Sequence, residues 1–233
     1  MGARNTNWQP TGDVALVFDH LPDDASWQSD SLSAAYRVLE QYLPPRKLKI
    51  LDVGCGTGNS FYEFKNFDSD ISWVGLDIGD SPEASAKPRD DLNFLIFDGI
   101  HIPINEQEID LAYSRQVFEH VRHPRELLGE IHRVLKPGGH FVGSTSHLEP
   151  FHSRSYWNYT PYGFCVLLKD SGFDSVVVRP GIDSLTLIGR RILSHIRLDR
   201  LCDSFFKIES PLNVLLELIS SAAHMPAKRR NAL

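Results

Sequence analysis

Three features of this 233-residue chain predict an α/β fold with a doubly wound, mostly parallel sheet. From residue 48 onward, apolar runs of strand length alternate with segments of helical period. Runs such as "SWVGLDI" and "LNFLIFDG" are apolar on both faces, as strands buried between two helix layers must be. The first run leads into a glycine-rich turn, "GCGTGN", at the strand-to-helix junction where such sheets hold their ligands.

The elements follow in order. Residues 1–28 are polar and contain Pro10 and Pro22, and read as a leader. After Asp30, "SLSAAYRVLEQYL" sets Leu32, Tyr36, Leu39 and Leu43 on one helical face, and Pro44-Pro45 stops the helix. "LKILDVG" is the first strand, "GNSFYEFKNF" a helix and "SWVGLDI" the second strand. "GDSPEASAKPRDD" is too rich in proline for a long helix, so that crossover is short or irregular. "LNFLIFDG" and "DLAYSRQ" are the third and fourth strands. "HPRELLGEIHRVL" is a helix stopped by "KPGG", and "HFVGSTS" is the fifth strand. "TPYGFCVLLKDSG" is then a helix and "FDSVVVRP" a sixth strand. A seventh strand is absent from this reading, with "SLTLIG" the only stretch that could serve. The expected organisation is a leader over 1–28, a ligand-binding domain over 29–181 and a helical extension of it over 182–233.

Composition narrows the function classes. The chain is 42% hydrophobic and 23% charged, ordinary for a globular protein, and its net charge of −6 lacks the basic footprint of a general nucleic-acid binder. Its three cysteines are odd in number, far apart and without a CxxC pair, so neither a disulfide framework nor a thiolate zinc site is expected. The first residues have no signal-like apolar region, and a reducing cytoplasm is the expected location.

The glycine loop raises the question of ligand. A dinucleotide fingerprint needs G-x-G-x-x-G, but Gly54 and Gly56 are followed by Gly58, and Asn59 stands where the third glycine belongs. A phosphate loop needs Gly-Lys-Ser/Thr, and no lysine follows. Three acids stand where strands end. Asp77, about twenty residues on, is placed to accept from ribose hydroxyls. Asp98, at the third strand's tip, can accept from an adenine amino group. Asp52, two residues before the first glycine, repels phosphate and favours an ammonium, or else caps the following helix. Adenine, ribose and an ammonium without phosphate describe S-adenosylmethionine.

The motifs "ILDVGCGTGN", "GLDI", "FDGIHIPI", "DLAYSRQVFEHVRHP" and "LLGEIHRVLKPGGHF", in this order, resemble the class I S-adenosylmethionine-dependent methyltransferases, in the small-molecule branch that includes ubiquinone-biosynthesis-type enzymes. The resemblance covers roughly Leu48 to Pro180. It implies a Rossmann-like methyltransferase fold, S-adenosylmethionine as cofactor and S-adenosylhomocysteine as product. It also implies that Gly54, Cys55, Gly56 and Gly58 line the cofactor's methionine part, with Asp52 near the ammonium. Asp77 would hold the ribose, Ile78 would pack on adenine, and Asp98 with Gly99 would read the adenine edge. Ser114 would offer backbone beside the sulfonium. Cys55 otherwise reads as a small buried filler.

Methyl transfer from a sulfonium is an in-line displacement, so it needs an aligned acceptor and, for a hydroxyl acceptor, a base. Amino-group methyltransferases often carry an Asn/Asp-Pro-Pro-aromatic clamp after the fourth strand. Here that stretch is "SRQV", which argues against methylation of an exocyclic base amine or a glutamine; the expected acceptor is an oxygen of a small molecule or of a glycan or lipid-linked compound. Arg115 and Gln116 face the acceptor or simply begin the next helix. "SHLEPFHSRSYWNYTPYG" supplies His147 and His152 as candidate bases, and Tyr156 and Tyr159 as candidate walls of an acceptor pocket. A metal reading of His147, Glu149 and His152 lacks a fixed further carboxylate, and no metal is expected. Glu119-His120 belongs to the fourth-strand motif and reads as support for the fold. The two C-terminal amphipathic stretches suggest a helical cap, a lid whose arginines meet an anionic acceptor, or a weak membrane-surface contact. The competing class is a cofactor-binding partner subunit without turnover.

Overall fold

The computed structural model describes residues 15, 17–22, 30–43, 47–81, 92–148, 154–179, 181, 187–188, 215 and 218–219. Two compact units divide the chain: residues 30–174, and residues 1–29 together with 175–233. The first unit holds the sheet.

That unit begins with helix α1, Ser31–Tyr42. The Asp30 carboxylate caps it, accepting from the Leu32 and Ser33 amides at 3.0 Å each, a contribution of about 1 kcal/mol. Strand β1 is Lys49–Val53, helix α2 is Ser60–Phe67, and strand β2 is Ser72–Ile78. Strands β3, Phe94–Phe97, and β4, Ile109–Arg115, follow. A 3-10 turn at Phe118–His120 leads to helix α3, Pro124–Val134, strand β5, Leu135–Ser144, and helix α4, Pro161–Asp170. Helices α3 and α4 each start with proline at a first-turn position, where its missing N–H costs nothing. Thr160 caps α4 by accepting from the Gly163 amide at 3.1 Å.

The five strands pair in the order β3-β2-β1-β4-β5, and every pairing is parallel. The chain winds outward from β1 through β2 to β3, then returns to β4 on the opposite side. This reversal opens a crevice at the carboxyl ends of β1 and β4, the place where open α/β sheets bind ligands. On one face, Ala35 and Leu39 of α1, Phe64 of α2 and Ile50, Trp73, Leu111 and Tyr113 of the strands form one buried cluster. Against it, Ser31 Oγ and the Tyr113 hydroxyl are hydrogen-bonded, 2.9 Å apart. Leu127, Leu128, Ile131 and Val134 of α3 are buried as well.

Two strand expectations change. The fifth strand begins at Leu135 rather than His140, because Leu135 already pairs with Ile109, and the register jumps across Lys136–Gly139 before Leu111 meets His140. The glycine-rich stretch that ends the helix is therefore an irregularity within the ladder. The sixth strand expected at 173–180 is not formed: residues 173–179 are not in strand conformation. The Val178 amide instead donates to the His20 carbonyl at 2.8 Å, and His20 Nδ1 donates to the Val176 carbonyl at 2.9 Å. These bonds are internal to the second unit. Most of the C-terminal stretches lie outside the described residues; of the described ones there, Leu187, Ile188, Leu215, Leu218 and Ile219 are helical. Among the described residues no helix is long and apolar enough to cross a membrane.

Candidate functional site

The glycine loop takes a shape that other residues resist. Gly54, Gly56 and Gly58 have φ of 72°, 52° and 79°, all in the left-handed region. A Cβ on Gly54 would stand 2.3 Å from Val117 Cγ2, and one on Gly58 would stand 2.8 Å from both Leu92 and Phe94. The loop folds back onto the end of β2. The Gly54 and Cys55 amides share the Leu76 carbonyl at 2.8 and 3.2 Å, and the Gly56 amide donates to Asp77 Oδ2 at 2.7 Å. The other carboxylate oxygen of Asp77 accepts from the Ile78 amide at 2.8 Å. The acid about twenty residues downstream thus holds the loop while standing at the rim of the crevice. Ile78 beside it is 38% exposed, an apolar surface available to a flat ring.

Asp52, near the end of β1, is buried, and the Ser60 hydroxyl of α2 donates to its Oδ2. Trp73 Nε1 donates to Ser60 Oγ at 2.9 Å. Among the described residues Oδ1 accepts no hydrogen bond. Burial pushes the Asp52 carboxyl up to about 7, against the opposing effect of the Ser60 hydroxyl, and the nearby acids Asp77 and Glu63 add to the rise. Asp52 therefore does engage the helix that follows the loop, through a side chain rather than a backbone cap. Burial also pushes the Cys55 thiol well above its usual range, consistent with a packing role.

At the tip of β3, Asp98 Oδ1 accepts from the Ile100 and His101 amides at 2.8 and 2.7 Å, and Oδ2 pairs with His101 Nδ1 at 2.7 Å. The His101 bond and these amides hold Asp98 far below the usual carboxylate range. Gly99, with φ of 88°, makes the turn between them.

At the tip of β4, Ser114 is fully buried, and its hydroxyl is the one buried side-chain polar atom without a partner among the described residues. Arg115 is exposed, with Glu63 4.0 Å away. Gln116 is left-handed at φ 55°, a strained backbone for a residue with a side chain. Its amide donates to the Ser144 carbonyl at 2.9 Å, and Ser146 Oγ donates to its Oε1 at 2.7 Å. Gln116 therefore joins the tip of β4 to that of β5.

Sequence reasoning placed no functional weight on Glu119 beyond fold support, yet its side chain organises the next layer. It is fully buried in the 3-10 turn and accepts from Thr145 Oγ1 at 2.9 Å, with Ser146 Oγ at 3.0 Å. Its carbonyl accepts from the Tyr156 and Trp157 amides at 2.7 and 3.2 Å. Trp157 Nε1 donates to the Val121 carbonyl at 2.8 Å, and the Tyr159 hydroxyl donates to the Phe118 carbonyl at 3.3 Å. The turn thus fixes the aromatic segment after β5, leaving Tyr156 60% and Trp157 44% exposed. Burial pushes the Tyr159 phenol far up, with the Glu119 charge adding to it. His147 is exposed at the end of β5. His152 and Glu149 lie outside the described residues.

An open cavity of about 510 Å³ lies at the other end of the sheet, lined by Lys49, Ser72, Asn93, Asn105 and Glu108 among others. It is at the strands' amino ends, where Ile102–Ile104, further along the chain from Asp98, also line it.

The side chains at the carboxyl ends are hydrogen-bond acceptors and acidic, with Asp52, Asp77 and Asp98 and no lysine in the loop. They fit a ligand bearing an ammonium, hydroxyls and an amino group better than one bearing phosphates. Comparison with known proteins agrees. The sequence profile of a family described as "Methyltransferase domain" matches residues 51–143. Phosphoethanolamine N-methyltransferase 3 of Arabidopsis thaliana is 26% identical over 168 residues, spanning 65% of this chain and 34% of that protein. Ubiquinone biosynthesis O-methyltransferase of Bradyrhizobium sp. (strain ORS 278) is 30% identical over 148 residues, 60% of this chain and 56% of that protein. The chain thus spans about a third to just over half the length of these curated relatives. In fold, it is similar to a SAM dependent methyltransferase from Archaeoglobus fulgidus, with a TM-score of 0.51 and 18% identity over 77% of this chain and 89% of that one.

Proposed function

We propose that this chain, whose residues 51–143 match a methyltransferase-domain family, is a class I S-adenosylmethionine-dependent methyltransferase that methylates an oxygen of a small molecule or of a glycan or lipid-linked acceptor. The observation that carries this reading is the left-handed glycine loop held to the Asp77 carboxylate at the sheet's switch point.

When bound, S-adenosylmethionine supplies an electrophilic methyl on a positively charged sulfonium. Gly54, Gly56 and Gly58 let backbone approach its methionine part, and Asp52 Oδ1 receives the ammonium. Asp77 accepts from the ribose, Ile78 packs on the adenine, and Asp98 with Gly99 reads the amino edge. Ser114 lends backbone beside the sulfonium.

The acceptor side rests on the aromatic segment. Tyr156 and Trp157 present exposed rings, as stacking on a sugar face or another flat ring requires. Arg115 and Gln116 stand at the neighbouring strand tip to orient the acceptor. His147, exposed at the end of β5, takes the hydroxyl proton as general base, with His152 as the second candidate. The relatives' names include both N- and O-methyltransferases, so the choice of oxygen rests on "SRQV" at 114–117, which lacks the amino-group clamp.

Calorimetric titration of S-adenosylmethionine and S-adenosylhomocysteine into wild type and Asp77→Ala tests the cofactor half. One-site binding that the substitution weakens at least tenfold, about 1.4 kcal/mol, is the expected result. No binding by folded wild type would sink it. Transfer of labelled methyl to panels of sugars, phenols and amines then tests the acceptor half, and labelling of amines alone would overturn the oxygen assignment.

A further inference from the structure

The motif "LLGEIHRVLKPGG" has no part in the site described above, yet two of its side chains grip the segment that follows Asp98. On α3, Glu130 and Arg133 form a two-pronged ion pair, with Arg133 Nε to Glu130 Oε1 and Nη2 to Oε2 both at 2.7 Å. Both then hold the same stretch of chain. Glu130 Oε2 accepts from the Ile102 amide at 3.0 Å, and Arg133 donates through Nη2 to the Ile102 carbonyl and through Nη1 to the Ile104 carbonyl, each at 3.0 Å. Ile102 follows His101 directly, and the His101 and Ile100 amides are the two that Asp98 Oδ1 accepts. A continuous set of bonds therefore runs from α3 to the Asp98 carboxylate. The loop of 98–108 contains no helix or strand of its own to fix it. On α3, only this pair supplies side-chain bonds to its middle among the described residues.

We propose that Glu130 and Arg133 are positioning residues for adenine recognition: from outside the pocket they set where Asp98 and the Gly99–His101 backbone stand. The role rests on the cofactor reading above. Arg133 makes four directed bonds from one planar fork, which a lysine ammonium cannot reproduce. Lysine at 133 should therefore keep the charge and lose the position.

The test compares the affinities of S-adenosylhomocysteine and its hypoxanthine counterpart, in which the amino donor facing Asp98 is replaced by a carbonyl. Wild type is expected to prefer adenine at least tenfold. In Arg133→Lys, and in Glu130→Gln as the milder change should the first fail to fold, the preference should fall below about threefold. Asp98→Ala should remove it equally, and adding Arg133→Lys to Asp98→Ala should change it no further, as coupled residues require. A stability role alone would lower the melting temperature and leave the adenine preference intact, which overturns the proposal while sparing the cofactor reading. Failure of wild type to bind S-adenosylhomocysteine overturns both.

Discussion

In the proposed function Asp52 serves binding, and its burial carries a cost to stability. A carboxyl that titrates near 7 in the folded chain and near 3.8 when unfolded holds its proton more tightly in the fold. Between those values the folded state binds the extra proton, so this group's contribution to stability declines as pH rises from about 4 to about 7. Asp52→Asn removes the buried charge and keeps an acceptor for Ser60. Its melting temperature should match wild type near pH 4, exceed it increasingly toward pH 7, and hold a constant advantage above that. The gain should be a few kcal/mol at most, since each tenfold change in proton affinity is worth about 1.4 kcal/mol. The same variant should bind S-adenosylmethionine more weakly, because an amide offers the ammonium no charge. Thermal scans across pH with calorimetry at pH 8 check both, and a variant less stable than wild type at pH 8 would contradict the assigned burial cost.

At the scale of elements, the tips of β4 and β5 and the turn between them act as one unit through Glu119. Glu119→Ala strands the Thr145 hydroxyl, takes one of two acceptors from Ser146 and opens a void, at a cost of roughly 2–4 kcal/mol. The melting temperature should drop by about 5–10 °C. Acceptor methylation should suffer more than cofactor affinity, because Tyr156 and Trp157 hang on this turn while the glycine loop is fastened to β2. Glu119→Gln keeps an acceptor and should lose about half as much. Little of this linkage was legible in the sequence: Glu119 and its hydroxyl partners lie 26 and 27 residues apart, and Glu130 and Arg133 lie about 30 from the loop they hold. Strands and helices whose signal is local were legible, as were the glycine turn and its acid. The run "SVVVR" carried strand propensity but no ladder, because pairing is decided by what lies alongside, and the Val178 amide bonds to His20. The start of β5 was misread for the same reason: "KPGG" breaks a helix visibly, while the pairing of Leu135 with Ile109 leaves no local mark.

At the scale of the whole sheet, polarity decides between two openings. Every strand runs in the same direction, so the loops carrying Gly56, Ile78, Gly99 and Gln116 share one end, and the 510 Å³ cavity sits at the other. The cavity's Lys49–Glu108 ion pair, at 2.6 Å, is already satisfied within the protein. The carboxyl ends instead carry the left-handed glycines 54, 56, 58 and 99 and the acids Asp52, Asp77 and Asp98. Hydrogen exchange with saturating S-adenosylhomocysteine separates the two. At a hundredfold excess over Kd the ligand should stabilise the fold by about 2.7 kcal/mol. Protection beyond that global gain should concentrate in the amides of 54–58, 77–79 and 98–101. Those of 49, 72 and 93 should gain only the global increment. Protection centred on the latter group would move the ligand to the amino-end cavity, and the glycine loop would then be a connection shaped by packing against Val117, Leu92 and Phe94 alone.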